Sequence, residues 1–155
     1  MNKNQQLKKQ WDEIFKFRKE QKYAHAIFYL RKLIQKYPEE RPVGNKMLGI
    51  VFWEASDNRR AALYFKKALT FFPKSDIISI SLTHALWDIG RKRDALSEID
   101  RFLEIKPKSK DHLDFLKAVT IESGDGKHFD VVLEIKKLVD KYKPFKSQKK
   151  EIQGI

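Results

Sequence analysis

Tryptophan, histidine and the cationic side chains are the residues here whose types and spacing could do chemistry. Histidine occurs four times, as His25, His84, His112 and His128. None has a second histidine three or four residues on, the spacing that turns two imidazoles toward one metal from a helix. They read as surface or partly buried helix residues, with no metal and no cofactor expected. Gly124-Asp125-Gly126 lacks both the Gly-Lys-Ser/Thr of a phosphate loop and the acidic ladder of a calcium loop, and reads as a turn. No Gly-x-Ser-x-Gly element is present. Glu39-Glu40 sits beside Pro38, where solvation is the expected role. With no cysteine there is no thiol nucleophile, no disulfide scaffold and no Cys-built zinc site. The expectation is a protein that is not an enzyme.

What remains is binding chemistry. Trp53 and Trp87 stand 34 residues apart, and Trp and Met are enriched where proteins meet partners. The chain of 155 residues has 33 Lys and Arg against 21 Asp and Glu, a net charge of +12. That predicts attraction to an acidic protein, a nucleic acid or a phospholipid surface. Lys outnumbers Arg 25 to 8, whereas base and phosphate recognition favours the Arg fork. No run approaches the ~18 apolar residues of a membrane span. Met1 to Gln6 is polar, unlike a signal peptide, so the expected compartment is cytoplasmic.

The elements that position these residues follow from a repeat. Pro38, Pro73, Pro107 and Pro144 recur at intervals of 35, 34 and 37. Twelve places before the first three stand Ala26, Ala61 and Ala95. Four residues on come Leu30, Phe65 and Ile99, and three further Leu33, Ala68 and Phe102. Spacing of i, i+4, i+7 is one face of a helix, and proline stops that helix. A second helix precedes each, ending near Ala55 in one unit and at Gly90 in the next. The predicted helices are 5–19, 22–36, 42–55, 58–71, 75–89, 91–105, 109–123 and 128–142, with residues 1–4 frayed. For the last helix the Val131/Ile135/Leu138 register is more apolar than Val132/Lys136/Val139.

This pattern resembles the tetratricopeptide repeat (TPR). The second unit fits best, with Leu48, Gly49, Phe52, Ala61, Phe65, Ala68, Leu69 and Pro73 at the family's characteristic positions. The first has Ile14 and the third Thr83 where the family prefers glycine. The resemblance implies an all-α fold of antiparallel helix pairs stacked in a right-handed superhelix. Residues 1–142 would form a single array of about four pairs (5–38, 42–73, 75–107 and 109–142). Residues 143–155 would be a basic C-terminal tail or capping segment.

It also implies a concave groove lined by the first helix of each pair. That assigns to the groove Lys8, Trp11, Phe15 and Arg18, then Val43, Lys46, Met47, Ile50 and Trp53. Next come Ile77, Ile80, His84 and Trp87, then Asp111, Asp114, Ala118 and Ile121. The candidate partner site is Trp11, Phe15, Met47, Ile50, Trp53, Ile77, Ile80, His84 and Trp87. Its basic flank is Lys46, Arg59, Arg60, Lys66 and Lys67. The chain's own C-terminal segment is another candidate occupant of the groove. Some family members clamp a peptide carboxylate with Lys, Asn, Asn, Lys and Arg. The corresponding residues here are Trp11, Phe15, Met47, Ile77 and Ser81, which make no clamp. The resemblance implies a non-catalytic protein-interaction module with an adaptor, chaperone-like or toxin-neutralising role. Its partner would be a protein or peptide with an acidic surface. The alternative is nucleic-acid (RNA or DNA) binding by a basic helical array.

Overall fold

The computed structural model describes residues 1–145. Its eight helices are α1 (Lys3–Lys19), α2 (Tyr23–Lys36), α3 (Arg41–Glu54), α4 (Asn58–Phe71), α5 (Asp76–Asp88), α6 (Lys92–Ile105), α7 (Lys110–Gly124) and α8 (Val132–Tyr142). No strand occurs among the described residues. The four even-numbered helices each end two residues before a proline of the repeat. Proline lacks the N–H that would continue the ladder and turns the preceding residue away from helix.

The predicted core positions are buried. Ala26, Ala61 and Ala95 are fully enclosed, as are Leu30, Ile99, Ala68 and Phe102, with Leu33 and Phe65 nearly so. In α8 the buried set is Val131, Ile135 and Leu138, the more apolar of the two registers. That helix starts at Val132 rather than near residue 128. Gly126 and His128 adopt left-handed backbone with φ of +88° and +59°, and Phe129–Val131 makes one 3-10 turn first. The N-terminus also differs from expectation. Asn2 caps α1: its Oδ1 accepts from the Gln5 N–H at 2.9 Å, and the Gln5 side chain accepts from the Asn2 N–H at 3.0 Å. This reciprocal box satisfies two N–H groups that would otherwise lack helical partners, so the helix begins at Lys3.

The helices divide into two compact units, Met1–Pro73 and a second beginning at Lys74. In the first, α1 packs on α2, α2 on α3, and α3 on α4. Gly49 lets α3 approach α4: a Cβ there would stand 2.6 Å from the buried Phe65 ring. In the second, α5 packs on α6 and α7 on α8 around Ile99, Leu103, Phe115, Leu116 and Ile135. Of the predicted C-terminal segment, Pro144 is buried and Phe145 half-buried, while 146–155 lie outside the described residues.

Candidate functional site

In the N-terminal unit the candidate residues sit on α1 and α3. Trp11, Phe15 and Arg18 share one face of α1 by their i, i+4, i+7 spacing. The Trp11 and Phe15 rings stack with centroids 5.6 Å apart. On α3, Met47, Ile50 and Glu54 share a face, with Trp53 at its edge. Arg18 donates to Glu54 Oε1 through both Nε (2.7 Å) and Nη2 (2.5 Å). This charge-assisted pair joins the C-terminal turns of the two faces and raises the Arg18 pKa above its usual value. Met47, Ile50 and Lys46 are half-buried, Phe15 is exposed, and Trp53 is 51% exposed. The Trp53 indole is thus half in water, one turn after Ile50 on the same helix.

The equivalent residues of the C-terminal unit are placed differently. Trp87 on α5 is half-buried. Its indole meets Phe115 edge-on at 5.4 Å and His128 at 4.8 Å, and Lys92 Nζ lies 5.8 Å over its ring. Ile80 also packs against the core of this unit. His84 is exposed but meets Phe115 edge-on at 5.1 Å, and Ile77 is 63% exposed. Trp53 and Trp87 thus share a repeat position but not an environment. The fourth helix pair supplies Phe115, and its long turn folds His128 onto Trp87.

Four of the five flanking cations lie on α4, and only Lys46 lies on α3. Arg60 is tied to Asp57 at 2.9 Å. Arg59, Lys66 and Lys67 are exposed without a carboxylate partner among the described residues, and Lys67 lies 5.0 Å over the Tyr64 ring.

One buried constellation escaped the sequence reading. His112 is fully buried rather than surface or partly buried. Ser109 Oγ lies 2.7 Å from its Nδ1, and Ser79 Oγ lies 2.9 Å from its Nε2. Ser79 Oγ in turn donates to Glu98 Oε2 at 2.5 Å, and Glu98 accepts from Arg101. One proton order satisfies every member: Ser109 donates to Nδ1, Nε2 donates to Ser79, and Ser79 donates to Glu98. Phe102 stacks on the imidazole at 4.1 Å. Burial pushes the His112 pKa down to about 4. Ser, His and Glu in a row suggest a nucleophile, but Ser79 and His112 have no exposed surface for a substrate to reach. The chain of bonds pins α5, α6 and α7 together. Ser109 three residues before His112 was a visible local cue; the bond to Ser79, 33 residues away, was not.

Among the described residues no cluster of three His, Asp or Glu is disposed to hold a metal, and no helix is long and apolar enough to cross a membrane. No family model matches this chain, and no curated protein matches it either.

Proposed function

We propose that this chain is a non-catalytic protein-interaction module built from TPR-like helix pairs. It takes a protein or peptide segment bearing acidic residues against the α1/α3 face of its N-terminal unit. The observation that carries this reading is the half-exposed Trp53, one turn after Ile50 on α3, in the unit whose α1 carries the stacked Trp11 and Phe15 rings and is tied to α3 by Arg18 and Glu54. Large aromatic side chains left in water contribute most when a partner covers them. Acidic residues on the partner would find Lys46 near the anchor and unpaired cations on α4. The reading implies an adaptor-like role in the cytoplasm, with chemistry left to the partner.

Nucleic-acid binding is the competing reading, favoured by one observation: neither α2 nor α4 contains an Asp or Glu. Affinity capture from the source cell, with and without nuclease, separates the two. Under the protein-binding reading the same captured protein appears in both arms and is lost from Trp53→Ala, whose circular dichroism stays unchanged. Capture that survives Trp53→Ala with Phe15→Ala and disappears on nuclease treatment would overturn it.

A further inference from the structure

The outward faces of the second helices repeat a pattern that folding does not require. Superposing the repeats on Ala26 and Ala61 brings Phe28, Arg31 and Lys32 onto Leu63, Lys66 and Lys67. Each triplet is one apolar side chain followed by cations three and four residues on, the spacing that keeps all three on one helix face. All six side chains are exposed, Phe28 by 53% and Leu63 by 50%. Arg31 Nη2 donates to Tyr64 Oη at 3.3 Å, so the two copies lie side by side. None of the four cations has a carboxylate partner among the described residues. In the other unit α8 presents a third copy: Leu133, 71% exposed, with exposed Lys136 and Lys137.

The remaining second helix is the internal control. At the same positions α6 has Ser97, Asp100 and Arg101, and Arg101 is tied to Glu98 at 2.6 Å. Its neighbours Lys92 and Arg93 are likewise paired, with Asp130 and Glu134. The same fold therefore accommodates a polar, charge-balanced helix here. The exposed apolar residues on α2, α4 and α8, and the lysines there without a carboxylate partner among the described residues, are therefore not imposed by the repeat fold.

We propose that the α2/α4 face docks on an anionic lipid bilayer. Phe28 and Leu63 enter the boundary between headgroups and acyl chains, and the lysines beside them bind lipid phosphates. Leu63 and Leu133 favour a bilayer over a nucleic acid, because an aliphatic side chain has no ring face on which a base can stack. The cation type agrees: of the six in the three copies, only Arg31 is an arginine, and lysine serves as a point charge for a diffuse phosphate layer. The absence of any Asp or Glu from α2 and α4 supplies the charge complementarity.

The test is sedimentation of the full chain with vesicles of phosphatidylcholine alone, or with about one third phosphatidylserine. Binding is expected to be at least ~10-fold tighter to the anionic vesicles, and to fall ~10-fold or more in Phe28→Ser with Leu63→Ser and in Lys32→Gln with Lys67→Gln. Lys9→Gln with Lys16→Gln removes the same charge from α1 and should change binding by about twofold at most. Trp53→Ala should bind vesicles normally, which separates this face from the α1/α3 site. Circular dichroism checks that each variant folds. Equal binding to neutral and anionic vesicles would overturn the proposal. So would full binding by the Phe28/Leu63 variant, or no vesicle binding alongside tight binding of a labelled oligouridylate.

Discussion

His112 links burial to a measurable pH dependence. Its imidazole is pushed down to about 4 by desolvation, which outweighs the favourable charges of Glu98, Asp76 and Asp111. Unfolded, the same group titrates near ~6.5. Between those values the unfolded chain binds a proton that the folded chain refuses. Stability is therefore full above pH ~6.5 and declines as pH falls toward ~4, by about 3 kcal/mol in all. The Asp76 and Asp100 carboxyls are held low by hydrogen bonds from Lys106 and Lys141, so their losses come only at more acid pH. Urea midpoints should thus fall between pH ~6.5 and ~5, with a slope that His112→Gln flattens. An unchanged slope in that variant would assign the effect elsewhere. The two tryptophans give a second contrast. Trp87→Ala should cost about 1–3 kcal/mol of stability, because it strips contacts from Phe115 and His128. Trp53→Ala should cost under ~1 kcal/mol of stability but about 2 kcal/mol or more of partner affinity. Thermal melts of both variants check the first half, and equal losses would mean that Trp53 is packed as Trp87 is. Spacing revealed that the two residues share a position. It could not reveal that only one is covered, because the cover comes from a different helix pair.

Helices were the most legible level, since each rests on short-range rules that act along the chain. The Ala26, Ala61 and Ala95 series, with a proline after each helix, carried both the pairing and the buried faces. The start of α8 was less legible, because the left-handed residue is His128 and not only the neighbouring glycine. Asn2 with Gln5 was a readable cap that the polar composition of the N-terminus obscured. Glycine supplies the prediction at this scale. A methyl at Gly49 would press on Phe65, itself enclosed, so Gly49→Ala should destabilise by about 1–3 kcal/mol. Gly124, in the last turn of α7, has nothing within 4 Å of a built Cβ, and its φ is not positive. Gly124→Ala should be neutral, or stabilising by up to about 1 kcal/mol, through reduced freedom of the unfolded chain. Guanidinium midpoints moving in opposite directions would support both placements. A Gly49→Ala variant as stable as the parent would mean that α3 and α4 are not in close contact there.

For the whole molecule, the net charge of +12 hides an uneven distribution. Residues 1–73 hold sixteen Lys and Arg against seven Asp and Glu, whereas residues 74–142 hold thirteen of each. Pairing widens the difference. In α6, Lys92, Arg93 and Arg101 all have carboxylate partners, while in α2 and α4 only Arg60 has one among the described residues. Counting charges gave the sign of the attraction, but which cations remain free depends on contacts between helices far apart in sequence. Paired charges are already neutralised at short range and add little to a long-range field, whereas unpaired ones steer an anionic partner until salt screens them. Association with any anionic partner should therefore weaken between about 50 and 500 mM salt, as the screening length falls from ~14 to ~4 Å. The variant Lys66→Glu with Lys67→Glu should flatten that salt dependence. Lys92→Glu with Arg93→Glu reverses the same number of charges among residues already paired, and should flatten it less. Association rates measured across a salt series for the three proteins decide the matter. Equal flattening by both variants would show that total charge governs encounter, and that the free cations of α2 and α4 have no special part in it.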